Sequence, residues 1–170
     1  MRPGTVHAVL TLEPSLTQGS HFLTYDTLPQ TATWRWMDRI SGTSITNTSY
    51  DNVELWLHPM MASVYFQLYH HFLGKTDVND FPPPNPTSVA ALLVMISNPQ
   101  WFIPKTLSLR NDPESVESRN IGTELAQNLA ALFEKGRNFF KDYLGEHERV
   151  FEKFRCLVEA YEESGYRSVG

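Results

Sequence analysis

The sequence predicts an α+β chain that is mostly α, with two short strands followed by a run of helices. Three observations carry this. Residues 5–12, TVHAVLTL, are β-branched and leucine-rich behind a Pro3-Gly4 turn. Residues 21–25, HFLTY, form a second such run after the connector EPSLTQG. From there to the C-terminus, apolar residues recur every three or four positions. Two strands alone are marginal in water, so they require more sheet or a helical cover.

The helices follow in order. Thr27 or Pro29 opens one that runs through TATWRWMDRI to about Ile40, where Ser41-Gly42 ends it. SGTSITNTSYDN is polar and turn-rich, hence a loop. VELWLHPMMASVYFQLYHHFLG is helical, with Pro59 either kinking it or opening a second segment. KTDVNDFPPPNP, residues 75–86, is an extended proline-rich connector and a candidate sub-boundary. TSVAALLVMISN is a short buried helix that Thr87 or Ser88 would cap, and WFIPKTLSLRND is irregular. Asp112-Pro113-Glu114 supplies a cap, a first-turn proline and an acid at the positive end of a helix dipole. Leu125, Leu129, Leu132, Phe133, Phe140, Tyr143 and Leu144 then mark one apolar stripe, which Val150, Phe151, Phe154, Leu157, Val158 and Tyr161 continue. Gly145 is the expected break between two C-terminal helices.

Composition bounds the function. Of 170 residues 41% are hydrophobic and 12% aromatic, enough for a core. The net charge of −5, without any basic run, argues against direct nucleic-acid binding. The longest apolar stretches fall short of the roughly 20 residues that span a bilayer. The N-terminus lacks the uninterrupted apolar core of a signal peptide, so no membrane partner is expected and the compartment is read as intracellular. The single cysteine, Cys156, forms no internal disulfide and is expected to be buried beside Phe and Leu.

His7 and His21 stand inside the two apolar runs. On alternation, Val6, Ala8, Leu10 and Leu12 share one face of the first run, and His7, Val9 and Thr11 share the other. The second face mixes polar and apolar side chains, as a ligand cavity does, although a histidine on a strand is commonly no more than a satisfied core or rim residue.

These residues carry a resemblance. Pro3-Gly4, His7-Ala8-Val9-Leu10-Thr11, Glu13-Pro14 and Gly19-Ser20-His21-Phe22 resemble the end of a JmjC domain. That domain is the double-stranded β-helix of Fe(II)- and 2-oxoglutarate-dependent oxygenases. The likeness is closest to the histone lysine demethylase-like branch with many fungal members, and covers about 27 residues. It implies that residues 1–26 are a β-helix remnant of two or so strands and 27–170 a helical extension. It implies that His7 is the last ligand of a two-His-one-carboxylate iron site, and that His21, where relatives commonly have asparagine, faces the 2-oxoglutarate cosubstrate. Neutral imidazole suits Fe(II), and three ligands on one face leave positions for cosubstrate and dioxygen. The implied activity is hydroxylation or N-methyl-lysine demethylation, with a histone tail as protein substrate and a nuclear setting.

The other two ligands of that family, His-x-Asp or His-x-Glu, do not occur in this sequence. His58, His70, His71 and His147 each lack an acid two residues on. One imidazole imposes no facial geometry, so these 170 residues are not expected to turn over substrate or to bind Fe(II) or 2-oxoglutarate tightly, and no catalytic residue is assigned. The chain then reads as a fragment, a truncated gene model or a degenerate copy. The alternative reading is a non-catalytic helical protein-interaction module, with a homodimer through the C-terminal helices as one expected use.

Three further constellations have bland readings. Glu54 and His58 are at i, i+4 spacing but lack a second histidine, so His58 is expected to be solvated or capping. In WRWMDR the tryptophans (Trp34, Trp36) are expected to pack on the core with the arginines at its rim. FPPPNP is expected to be a stiff spacer.

Overall fold

The computed structural model describes residues 23–41, 53–75, 83–103 and 112–164. Among them are five helices, α1 (Leu28–Ser41), α2 (Val53–Phe72), α3 (Pro86–Ser97), α4 (Pro113–Lys135) and α5 (Lys141–Glu163), with 3-10 turns at Tyr25–Thr27 and Pro99–Trp101. The mostly α expectation holds, and no strand occurs among the described residues.

The first predicted strand lies outside the described residues, as does His21. The second is corrected where it can be seen. Thr24 is extended, but Tyr25 already belongs to a 3-10 turn. The threonines close that turn: the Thr27 amide donates to the Thr24 carbonyl at 3.1 Å, and the two hydroxyls bond at 2.9 Å. Local side-chain bonds of this kind compete with strand pairing.

α3 is the axis of the fold. Val89 to Ile96 form an unbroken buried run, each at most 5% exposed. A helix apolar all round must be enclosed, and α1, α2, α4 and α5 all contact this one. Its cap is Asn85, whose side chain accepts from the Thr87 amide, rather than Thr87 or Ser88. Pro86 explains the difference. A proline suits the first helical position, where its missing N–H costs nothing, and this moves the start one residue ahead of Thr87.

α3 and α5 run in the same direction. Tyr143 Oη donates to the Pro84 carbonyl at 2.8 Å and Thr87 Oγ1 to Glu146 Oε2 at 2.7 Å at one end. At the other, Phe102 meets Phe154 edge-on at 4.9 Å and Trp101 meets Phe151 at 5.2 Å. The C-terminal apolar stripe is thus used inside the bundle. Cys156 is exposed rather than buried. It follows Phe154 by two residues, which at 100° per residue turns it away from the buried row Val150, Phe154, Val158.

α4 starts as expected. Asp112 accepts from the Ser115 amide at 2.9 Å, a contact that contributes about 1 kcal/mol. The break before α5 falls at 136–140, not at Gly145. The Gly136 amide bonds to Leu132 and the amides of Phe139 and Phe140 bond back to Gly136. Gly145 lies in the first turns of α5 with nothing near its Cα hydrogen, so the helix passes through it. Pro59 likewise stays within one continuous α2.

Candidate functional site

The two residues singled out by the resemblance, His7 and His21, lie outside the described residues, so the site is built here from the helices. Two features stand out: the seam between α2 and α4, and the outer face of α2.

The seam is set by two glycines. A Cβ on Gly122 would meet the His58 ring and one on Gly136 would meet the Phe72 ring. Gly122 and Gly136 are 14 residues apart, and so are His58 and Phe72. The constant offset means that α2 and α4 run parallel, with a ring sunk into a glycine notch at each end.

His58 is therefore buried, at 5% exposure, which corrects the solvated or capping expectation. Its Nδ1–H donates to the Ser118 carbonyl at 3.0 Å, which directs Nε2 away from that bond. The sequence could not show this, because the notch that admits the ring is 64 positions away. His58, Pro59, Ala62, Glu114, Glu117, Ser118 and Ile121 line an open depression of about 280 Å³. Its walls are mainly apolar, with Glu114 and Glu117 exposed at the α4 edge. Among the described residues no group of three or more His, Cys, Asp or Glu side chains converges as metal ligands would.

The outer face of α2 was not anticipated. Leu57, Met61, Val64 and Leu68 turn inward and are fully buried. The opposite side carries Trp56 (64% exposed) and Phe66 (55%); Tyr69 is exposed on its flank, and Leu73 and Phe139 lie at its C-terminal end. One signal was available: across 20 residues α2 has a single charged side chain, Glu54. A helix so poor in charge has apolar material for two faces.

Trp36 packs against the core as expected of WRWMDR, and Arg39 Nη1 donates to the Ile103 carbonyl at 3.5 Å. On α5, exposed pairs link Arg149 to Glu146 and Arg155 to Glu152 and Glu159. Solvent screens such surface pairs, so they add little to stability. Burial pushes the Tyr143 phenol up, with the Asp142 charge adding to it. Hydrogen bonds from Arg149 and Thr87 hold the Glu146 carboxyl below its usual value.

His147 gives a pH prediction. Burial, in part on Phe151, holds its imidazole below the ordinary 6.5. The folded state then prefers the neutral ring, while the unfolded chain takes up the proton near 6.5. Its contribution is complete above that pH and is lost as pH falls below it. Urea midpoints at pH 7.5 and 5.5 are expected to differ less in His147→Gln than in the parent chain. An unchanged difference would rule the imidazole out as the source. The Glu146 contribution is lost in a separate and lower window, below about 4.5.

No family model, no curated protein and no solved structure matches this chain. Among the described residues no helix is long and apolar enough to cross a membrane.

Proposed function

We propose that the chain is the C-terminal part of a JmjC-like Fe(II)/2-oxoglutarate-dependent dioxygenase of the protein-hydroxylase or lysine-demethylase type. In this reading residues 1–26 bring one iron ligand, His7, and a cosubstrate contact, His21. Residues 27–170 are a non-catalytic helical extension. The observation that carries it is the string His7-Ala8-Val9-Leu10-Thr11 with Gly19-Ser20-His21-Phe22 behind it. The packed core of the helices suits a cover or scaffold.

When bound, such an iron centre supplies oxidation of a C–H bond. This chain's own part is to hold one imidazole and to keep the helical layer in place behind it. The triad needs a His-x-Asp or His-x-Glu pair that the 170 residues do not contain. A histone tail is the substrate that the resemblance implies.

Sequencing the natural transcript across this frame is expected to find, upstream and in frame, that pair and a lysine. The product of the longer frame converts 2-oxoglutarate to succinate, and His7→Ala abolishes this. The 170-residue chain converts none. A frame without those residues, or turnover by the 170 residues alone, rejects the reading.

A second reading rests on a different observation, the exposed aromatic face of α2. It makes the bundle a helical protein-interaction module with no enzymatic partner segment. An upstream frame lacking the pair leaves this reading in place.

A further inference from the structure

We propose that the outer face of α2 is the docking surface for the chain's own residues 1–22, seated through Val6, Ala8, Leu10 and Leu12.

The argument begins with α2 itself. Trp56 and Phe66 stand exposed on a helix whose inward row is already complete. At 100° per residue, Trp56, Pro59, Ser63 and Phe66 fall together on the side away from Leu57, Met61, Val64 and Leu68. Clustered apolar exposure of this kind marks a surface that something covers.

The point where the described chain begins selects the occupant. Tyr25 Oη donates to the Met60 carbonyl at 3.4 Å, so residue 25 lies against the middle of α2. Residues 1–22 therefore lead away from a position within reach of both ends of the exposed row. Trp56 to Phe66 spans about 15 Å of helix. Eight extended residues, 5–12, span about 26 Å and more than cover it. The 12 residues between Leu12 and Tyr25 reach well over that distance when extended.

Composition agrees. Residues 1–22 hold Val6, Val9, Leu10, Leu12, Leu16 and Phe22. The segments that flank α2 are more polar: 42–52 is GTSITNTSYDN and 76–82 is TDVNDFP. Seating the even-numbered face on α2 turns His7, Val9 and Thr11 outward. The docking does not depend on His7 binding iron, so the two proposals fail separately.

Cysteine pairing tests it in the full chain. In a Cys156→Ser background, Ser63→Cys is combined with one cysteine at a time at Val6, Ala8, Leu10 or Leu12, or at Val9 or Thr11. A disulfide forms only where Cα atoms approach within about 7 Å. The oxidised products are separated under denaturing, non-reducing conditions. The expected result is a bond within one chain, formed at least about tenfold faster from one of the first four positions than from Val9 or Thr11. Such a difference corresponds to about 1.4 kcal/mol. Equal rates from both sets, or no bond at all, overturn the proposal. Bonds between two chains overturn it in favour of a second copy on the same face. Ser63 is exposed and the other positions are outside the described residues, and unchanged far-ultraviolet circular dichroism confirms that each variant folds.

Discussion

Truncating Phe140 to alanine is expected to remove about 3–5 kcal/mol of stability, the cost of emptying a fully enclosed aromatic site. The ring is 0% exposed and lies at the turn between α4 and α5. Four rings surround it: Phe139 at 4.8 Å, Phe133 at 5.0 Å, Phe72 at 5.4 Å and Tyr143 at 6.0 Å. Phe72 belongs to α2, Phe133 to α4 and Tyr143 to α5, so one side chain ties three helices. Well-placed aromatic pairs add about 0.5–1.5 kcal/mol each beyond area burial. A domain of ordinary size has only about 5–15 kcal/mol in total, so the variant should lie near the edge of folding at room temperature. Equilibrium urea unfolding measures it. A loss below about 1 kcal/mol would mean that the ring is not enclosed in this way.

The second large effect carries the opposite sign from its propensity. Alanine is favoured over glycine inside a helix by about 1 kcal/mol. Gly122→Ala is nevertheless expected to destabilise by about 2 kcal/mol, within the usual range for overpacking. The new methyl would lie 2.6 Å from His58 Cγ and 2.8 Å from its Cβ. These atoms cannot swing aside, because they sit at the root of the side chain and its ring is bonded to Ser118. Gly145 is the internal control. It is exposed on α5 with nothing within 4 Å of an added Cβ, so Gly145→Ala should stabilise by about 0.5–1 kcal/mol. In a His58→Ala background the Gly122→Ala change should also become stabilising. Thermal and urea unfolding of the parent, the three single variants and the double variant decide the matter. A stabilising Gly122→Ala in the parent background would contradict the notch.

The α2–α4 seam therefore has a steric code in place of a chemical one. Gly122 and Gly136 admit His58 and Phe72, and the two helices are fixed parallel as a result. This arrangement makes a packed layer, with Trp56 and Phe66 exposed on the other side of α2.

Much of this was legible from residue order alone, because some signals act within a few positions. The Asp112-Pro113 start of α4 is a local hydrogen bond and a local dihedral preference, and both appear where the residues stand. The buried status of VAALLVMI follows from its lack of any polar face, whatever surrounds it. The reading of His7 as an iron ligand rests on a contiguous string outside the described residues, and the helices do not bear on it. Other features depended on partners far away in the chain. The helix break came at Gly136, which packs under the Phe72 ring of α2, whereas Gly145 meets nothing within 4 Å and the helix passes through it. His58 went inside because Gly122 is opposite it, and Cys156 went outside because α5 packs along Val150 and Phe154. Residue order determined which segments are helices and which apolar rows they carry. Tertiary structure alone decided which of two apolar faces on α2 was buried, since burial depends on the shape of the opposing surface, and that shape is written elsewhere in the chain.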